Sequence, residues 1–250
     1  MISDLKIIKT PPLNWRELQN LVALVLSDCG FKTEIEKKTQ TVRGEVEIDV
    51  YAEKIAGFKT IVLCECKYWE ASLPQSIIHC FRTVVADSGA NQGIIISKKG
   101  FQKGAYKSIL HSNVVLLNWD DFQKEFRMEW LIQIIERNYK IGRELMNVVT
   151  NIISLYHEYP SLLTVKEFDD FQISREENSD FLWFTFKDHY VNLVTHAISL
   201  NEVLLRINNF KKMFSEDIES LSDYFNSVYH KCNQQLNKMN SIFENMHPNI

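Results

Sequence analysis

The order of hydrophobic patterns between residues 59 and 118 limits the fold more than any other part of the sequence. A run of period two at residues 59–66 is followed by a helical pattern and then by "NQGIIIS", and a second helical pattern leads to "NVVLLNW". Short, continuous apolar runs such as these are typical of strands buried on both faces. Strand, helix, strand, helix and strand in succession require crossover connections, so we predict parallel strands in the centre of a mixed sheet.

Sequence patterns before residue 59 predict a first helix and the first strand of a hairpin. Residues 45–53 and 59–66 alternate at period two around Gly57, which predicts a hairpin, and Asn14 with Glu17 has the spacing of a capping box. The sequence therefore predicts an α/β fold with the order α-β-β-β-α-β-α-β. Its other predicted elements are an edge strand at 31–38 and helices at about 14–29, 72–89 and 101–111.

The sequence changes character after residue 127, so we predict a first domain at 1–127 and a second domain at 128–250. The second domain is mainly helical in pattern, with a β-hairpin predicted near 165–187, and its role stays open among oligomerisation, sensing and partner docking. A net charge of −4 does not by itself indicate a nucleic-acid-binding protein. The charge is uneven, however, because residues 1–127 carry 17 Lys and Arg against 15 Asp and Glu, while the rest carries 11 against 17. The first domain is thus mildly basic and the second acidic.

The sequence argues against secretion, membrane insertion and a disulfide framework. No apolar run reaches 18 residues, and the N-terminal residues lack the apolar stretch of a signal peptide. The five cysteines are an odd number without C-x-x-C spacing, so we expect them to be buried apolar residues. We therefore expect a cytoplasmic protein with no membrane partner.

Charged residues interrupt the predicted hairpin strands at regular positions. Alternation places Glu45, Glu47 and Asp49 on one face of the first strand, and it places Glu65 and Lys67 on one face of the second. If the hairpin is centred on Gly57, Asp49 lies opposite Glu65, with the Cβ atoms about 5 Å apart. Two carboxylates at that separation repel each other unless one is protonated or a cation lies between them.

A divalent cation would resolve this conflict. Mg²⁺ binds oxygen ligands and commonly takes one or two carboxylates together with water and phosphate, which suits Asp49, Glu65 and the backbone carbonyl of Cys66. Lys67 would then lie near the bound water and a phosphodiester, where its charge could stabilise a transition state. A solvated strand face with a Glu65–Lys67 or Asp49–Lys67 ion pair explains the spacing equally well.

The surrounding residues carry a resemblance to a known family. "EIDVYAE…TIVLCECKYWE" resembles the bipartite motif of the PD-(D/E)xK nuclease superfamily, with Glu65-Cys66-Lys67 as the ExK tripeptide. The downstream stretch "GANQGIIISKKGFQKGAYKSILHSNVVLLNWDDF" resembles the segment that follows in Mrr-like (type IV restriction) endonucleases. The resemblance covers about residues 14–127. It departs from the family at "RGEVEID", where Mrr-like enzymes often have "GDGGID".

The resemblance implies a PD-(D/E)xK nuclease core and a set of site residues. Asp49 and Glu65 correspond to ligands of Mg²⁺ or Mn²⁺, and Lys67 corresponds to the catalytic lysine. Many of these nucleases have a further acidic ligand on the first helix, for which Glu17 is the candidate; its alternative role is in the capping box. Candidates for positions beside the ligands are Glu47 and Gln75.

Four basic side chains are candidates for contacts with DNA phosphates. Such contacts are electrostatic and carry little sequence information. An ordinary solvated face explains the same residues equally well. The candidates are Arg43, Lys98, Lys99 and Lys103.

These inferences predict a Mg²⁺-dependent endonuclease of the Mrr-like restriction type that cleaves double-stranded DNA, with a role in defence against foreign DNA implied by the resemblance alone. One alternative is a Holliday-junction or repair nuclease of the same fold, and another is an inactive nuclease-like module that binds DNA or a protein. Cleaving both strands normally needs two active sites, so we expect a homodimer or higher oligomer. A protein partner could dock on residues 128–250.

Overall fold

The structure is a computed structural model that describes residues 6–162, 164, 168, 169, 171, 172 and 200–246. These residues divide into two compact units, one comprising Lys6–Gln133 and the other the described residues from Ile134 onwards. The predicted domain boundary after residue 127 lies inside a helix that also contains the division after Gln133.

The first unit contains a five-stranded mixed sheet with the spatial order β1-β2-β3-β4-β5. The first three strands pair antiparallel, whereas β4 pairs parallel to β3 and to β5, which confirms the predicted mixed sheet. The order of helices and strands along the chain is the predicted α-β-β-β-α-β-α-β. The strands are β1 (Lys32–Thr41), β2 (Gly44–Ala56), β3 (Phe58–Lys67), β4 (Gln92–Ser97) and β5 (Val114–Leu117).

Two helices cover the sheet. Helix α1 (Trp15–Asp28) begins as predicted, because the Asn14 side chain accepts a hydrogen bond from the Glu17 N–H at 2.9 Å. Helix α2 (Gln75–Asp87) packs closely on β4, since a Cβ atom on Gly93 would lie 2.5 Å from Cγ2 of Val85. A buried cluster between α2 and the sheet includes Ile48, Tyr51, Leu63, Ile78, Phe81 and Ile95.

The β2–β3 hairpin has the predicted register. Gly57 lies at the turn with φ +81°, in the left-handed region that favours glycine. The paired residues run from Ala56 with Phe58 to Val50 with Cys64, all symmetric about Gly57. The pairing ends there, so Asp49 is not a ladder partner of Glu65.

The third predicted helix, at 101–111, is wrong in length. Helix α3 spans only Ala105–Ser108. Phe101 instead forms an isolated bridge with Leu73, and the Gln102 N–H donates to the Leu73 carbonyl at 3.0 Å. These extended contacts hold the first residues of the predicted helix out of helical geometry.

Helices make up most of the described part of the second unit. Helix α4 (Trp119–Glu158) ends just before Pro160, where a short 3-10 helix spans Pro160–Leu162. Helices α5 (Leu200–Phe214) and α6 (Leu221–Met246) follow. Most of the predicted hairpin near 165–187 lies outside the described residues, and the four of its residues that are described are helical.

Membrane-spanning helices and cysteines can both be compared with the expectations from the sequence. No helix among the described residues is both long and apolar enough to cross a membrane. Four cysteines are buried and free, as expected, but Cys80 is exposed, so the expectation was wrong for that residue. Cys80 lies on α2 beside the buried Phe81, on the side of the helix that faces away from the sheet.

Candidate functional site

Regular strand pairing is interrupted on both sides of Asp49. The β1–β2 register includes Ile35 with Val50 and Lys37 with Ile48, but it omits the pair between Glu36 and Asp49. Glu36 has φ +53°, which is uncommon for a residue other than glycine. Strained backbone of this kind is concentrated at functional sites, so the irregularity marks Asp49 as a candidate.

The interruption also changes which side chains share a face. Strict alternation would place Ile48 and Tyr51 on opposite faces of the sheet, yet both belong to the buried cluster against α2. Val46 packs on the same cluster as Ile48, so the predicted alternation of Glu45, Glu47 and Asp49 holds as far as Asp49 and is broken only between Asp49 and Tyr51. The break lies where the backbone departs from regular pairing, and it leaves the Asp49 side chain beside α1.

Both oxygens of the Asp49 carboxylate accept hydrogen bonds. Oδ2 accepts the backbone N–H of Cys66 at 2.7 Å, and Oδ1 accepts Nε2 of Gln19 at 3.0 Å. Gln19 lies on α1 and is only 3% exposed. A buried side-chain amide and a backbone amide from two different elements therefore fix the orientation of the carboxylate.

Glu65 and Lys67 complete a compact charged cluster at the end of β3. Their side chains form an ion pair, and the Lys67 Nζ lies 3.9 Å from Oδ2 of Asp49. All three side chains are about one-fifth exposed. The structure thus brings together Asp49, Glu65 and Lys67, the three residues predicted to be catalytic.

The electrostatics of the cluster perturb two of these groups. Burial, together with the charge of Asp49, raises the pKa of the Glu65 carboxyl, and Lys67 opposes this only in part. Burial alone would lower the pKa of Lys67, but the charges of Glu65 and Asp49 outweigh it and raise that pKa overall. Lys67 therefore keeps its positive charge at neutral pH.

The donor set suits a hard divalent cation that keeps part of its water shell. Asp49 and Glu65 are the two carboxylates beside Lys67, and no group of three or more His, Cys, Asp or Glu side chains that could hold a metal ion occurs among the described residues. Mg²⁺ commonly binds in this way, with water and substrate phosphate filling the other positions. The Oε1 atom of Gln19 is buried and has no hydrogen-bond partner within the described part of the chain, which leaves one more oxygen on the side chain that contacts Asp49.

The other predicted site residues are exposed or have side-chain contacts outside this charged cluster. The Glu17 carboxylate accepts the N–H of Leu13, the residue before the N-cap Asn14, at 2.7 Å, so its contact lies one residue outside a strict capping box. Glu47 is exposed, and Gln75 lies with its Nε2 3.1 Å from Nε2 of His79. A role of the Cys66 carbonyl stays a prediction.

The predicted phosphate-binding residues are already in ion pairs, with one exception among the described residues. Arg43 Nε lies 2.9 Å from Asp87, Lys98 pairs with Glu70, and Lys99 lies 3.5 Å from Glu70. Exposed pairs of this kind contribute little and can exchange with phosphate. Lys103 is exposed, and no ion pair is formed by it within the described residues.

Sequence reasoning missed Gln19. The signal was present, because Gln19 falls on the buried stripe of α1 that includes Leu18, Val22, Ala23 and Leu26. A glutamine in such a stripe needs a hydrogen-bond partner. The partner, Asp49, could have been sought among the carboxylates of the adjacent strand.

Comparisons with known proteins place this geometry in context. A family model described as restriction endonuclease, Mrr_cat, matches residues 12–126. The chain is also similar to a solved structure titled "Crystal Structure of Protein of Unknown Function AF1548", with 18% identity and a TM-score of 0.39. That similarity covers 81% of this chain and 100% of the other. No curated protein matches the chain.

Proposed function

Since the chain carries a restriction endonuclease domain of the Mrr_cat family at residues 12–126, we propose that it is a metal-dependent deoxyribonuclease that cleaves double-stranded DNA internally. A nuclease domain implies DNA binding, and PD-(D/E)xK nucleases generally use divalent metals. We propose Mg²⁺, with Mn²⁺ as a substitute, bound by Asp49 and Glu65.

One observation carries the proposal. Within the matched region, Asp49 and Glu65 meet beside Lys67, with the Lys67 Nζ 3.9 Å from Asp49 and in an ion pair with Glu65. A mere surface ion pair would not need a carboxylate oriented by Gln19 and by the Cys66 amide. Such preorganisation is typical of groups that bind a metal ion or act on a substrate.

The side chains support hydrolysis in defined roles. Asp49 and Glu65 would hold a divalent ion, which would supply Lewis-acid chemistry and lower the pKa of a bound water. Asp49 is kept in one orientation by its two hydrogen-bond donors. Lys67, whose raised pKa keeps it protonated, is placed to orient the attacking water and to offset negative charge on the phosphate in the transition state.

A plasmid cleavage assay tests this proposal. The wild-type protein is expected to cut supercoiled DNA with Mg²⁺ or Mn²⁺ and not in excess EDTA. Lys67→Ala should lower the rate about 10²- to 10³-fold, because one preorganised charge is removed from the transition state. Asp49→Ala should abolish cleavage.

Lys59→Ala is the matched control for the lysine substitution. Lys59 lies on the same strand and also pairs with a glutamate, since its Nζ is 2.9 Å from Glu53. We expect this variant to cut DNA at the wild-type rate. A wild-type protein that binds DNA but never cuts it with either metal would overturn the nuclease proposal.

Several finer features belong to the same proposal. We propose that Arg43, Lys98, Lys99 and Lys103 contact backbone phosphates and that the activity serves defence against foreign DNA in the cytoplasm.

We keep residues 1–127 as the nuclease domain and 128–250 as a module for oligomerisation, sensing or partner docking. Because a double-strand cut uses two sites, we propose a homodimer; light scattering that gives a monomer mass while both strands are cut would contradict it.

A further inference from the structure

A polar cavity of about 550 Å³ lies against the outer side of helix α2. Its walls come from α2, from the turn between β1 and β2 and from the segment before β5. Among the described residues of the wall, Asp87 is the only carboxylate. The side chains that carry or can take up positive charge are Arg43, His79, Arg82 and His111.

The basic groups of this cavity are accessible to a ligand. The Arg43 side chain is 73% exposed, and both histidines are exposed. Arg82 is partly exposed and lies on α2 beside the buried Phe81. A ligand can therefore reach all four groups from solvent.

The two arginines are held in place and keep a net positive charge. Nη1 of Arg82 donates to the Ser108 carbonyl at 2.5 Å, and Nε of Arg43 lies 2.9 Å from Asp87. A guanidinium has five N–H donors, so each arginine retains donors for a ligand. Asp87 offsets one of the two charges, and Arg82 forms no ion pair within the described part of the chain.

The neutral polar groups of the wall are used within the protein. The Thr83 hydroxyl donates to the His79 carbonyl at 3.2 Å, and Nδ2 of Asn113 donates to the carbonyls of Ala90 and Asn91 at 3.1 Å. An uncharged polar ligand would have to compete with these bonds, whereas an anion would bind the arginines. Paired guanidinium donors match the oxygens of a phosphate in particular.

The topology relates this cavity to the candidate catalytic site. Because α2 connects the parallel strands β3 and β4, it begins at the end of the sheet that carries Lys67. Alternation places Lys67 on the same side of β3 as Leu63, which packs in the cluster against α2. The cavity residues from His79 to Asp87 lie about 6–18 Å along the helix axis from Gln75, the first residue of α2.

This spacing suits a DNA backbone. Phosphates of one strand advance about 3.4 Å each along the axis of a duplex. A duplex with its scissile phosphate at Lys67, lying along α2, would therefore bring phosphates to the cavity about two to five nucleotides from the cut.

We propose that this cavity is a phosphate-binding site that anchors the backbone of double-stranded DNA away from the cut. Arg82 and Arg43 bind the phosphate oxygens, and His79 and His111 border them. The inference rests on the proposed nuclease function, and it adds Arg82 and the two histidines to the phosphate contact already proposed for Arg43. Because phosphate contacts carry no sequence information, the site would hold duplexes of any sequence.

The salt dependence of DNA binding tests the proposal on the full chain. Binding of a short fluorescent duplex is measured by anisotropy in Ca²⁺ over a range of NaCl concentrations. Arg82→Gln should weaken binding and lower the slope of log Kd against log salt concentration by about one, as loss of one phosphate contact does. The double variant Arg43→Gln with Arg82→Gln should lower the slope by about one to two, equally for duplexes of different sequence.

Arg82→Lys separates charge from structure. Lysine keeps the positive charge, so this variant should retain the wild-type slope. Equal losses of slope in Arg82→Lys and Arg82→Gln would show that Arg82 only positions the Ser108 segment, and they would overturn the proposal.

Arg143→Gln is the matched control, because Arg143 is an exposed arginine on α4 that lies in the other unit. It should leave the slope unchanged. If the wild type cuts plasmid DNA and the double variant binds with the wild-type affinity and slope, the cavity proposal is wrong and the nuclease proposal stands. A wild-type protein that neither binds nor cuts DNA overturns both.

A free phosphate ion has the same chemistry as a backbone phosphate, and calorimetry distinguishes the two sources. Titration of inorganic phosphate into the wild type should give no binding that the double variant lacks. Phosphate binding that is lost in the double variant, together with an unchanged affinity for DNA, would show a site for a free anion and overturn the assignment to DNA.

Discussion

The carboxylate of Asp49 accepts the backbone N–H of Cys66 at 2.7 Å, just beyond the last ladder pair of β2 and β3. One side chain thus satisfies an amide that the sheet leaves unpaired and presents a negative charge beside Glu65. Because an unpaired buried amide costs free energy, the bond links the site to the stability of the sheet. Structural and chemical roles of Asp49 should therefore be separable by substitution.

Asp49→Asn and Asp49→Ala are predicted to differ in stability but not in activity. Both remove the charge, so both should abolish metal-dependent cleavage of plasmid DNA. Asparagine retains an oxygen that can accept the Cys66 N–H, whereas alanine leaves that amide unpaired, at a cost of about 1–3 kcal/mol. Urea unfolding should show the alanine variant to be the less stable by this amount. Equal stabilities would show that the bond contributes nothing to folding.

Gln19→Ala is predicted to lower cleavage activity about 10- to 100-fold, as is usual when a partner of a metal ligand is lost. The reason is that the buried Gln19 amide holds Oδ1 of Asp49. The measurement is cleavage rate as a function of Mg²⁺ concentration, in which the apparent metal affinity should also fall.

Gln123→Ala is the control for Gln19→Ala. Gln123 is also a buried glutamine of the same unit, and its side chain accepts the Ile8 N–H at 2.8 Å. Its loss should reduce stability without changing the rate or the metal dependence of the folded protein. If both variants lose activity in proportion to lost stability, Gln19 has a structural role only.

The sequence predicts the order of elements well because the patterns there are local. The continuous apolar runs of β4 and β5 follow from burial of both faces of each strand. The alternation around Gly57 follows from burial of one face. The helix predicted at 101–111 fails for the opposite reason. Its start is held by a bridge between Phe101 and Leu73, a contact across 28 residues of chain that no local pattern contains.

The candidate site was predictable in its residues but not in its geometry. Symmetry about Gly57 placed Asp49 near Glu65, yet pairing ends at Val50 and the carboxylate turns to the Cys66 amide. Glu36 on the neighbouring strand has a positive φ and is skipped in the register with Asp49, an irregularity that alternation alone could not reveal. Gln19 was missed because its partner lies 30 residues away.

Glu65→Gln is predicted to stabilise the metal-free protein at neutral pH. Burial and the charge of Asp49 raise the pKa of Glu65 above its usual value near 4.5. When the pKa of a carboxyl is higher in the folded than in the unfolded protein, the folded state binds the proton more tightly. The resulting stabilisation is complete below the pKa of the unfolded protein and is lost as pH rises through the pKa of the folded protein. Glutamine cannot ionise, so in EDTA the free energy of unfolding of the variant should match that of wild type below pH ~4.5 and exceed it at neutral pH. Urea unfolding at both pH values measures this, and cleavage should be lost.

Glu53→Gln should behave in the opposite way and serves as the control. Hydrogen bonds from Lys59 and Tyr51 lower the pKa of Glu53. A carboxyl with a lowered folded pKa contributes stability above its unfolded pKa, and this is lost as pH falls through the folded value. This variant should therefore be less stable than wild type at neutral pH and should still cut DNA. The same sign of change in both variants would contradict the assigned pKa directions.

Cys80 is predicted to be the single thiol that reacts in the native protein. It is exposed on α2, whereas the other four cysteines are buried. Burial also raises the pKa of Cys29 and of Cys232 to about 12 and raises those of Cys64 and Cys66, so their reactive thiolate forms are scarce at neutral pH. Titration with dithionitrobenzoate should release one equivalent from folded protein and five from protein in denaturant, and Cys80→Ser should release none when folded. Rapid release of two or more from the folded wild type would place a second cysteine at the surface.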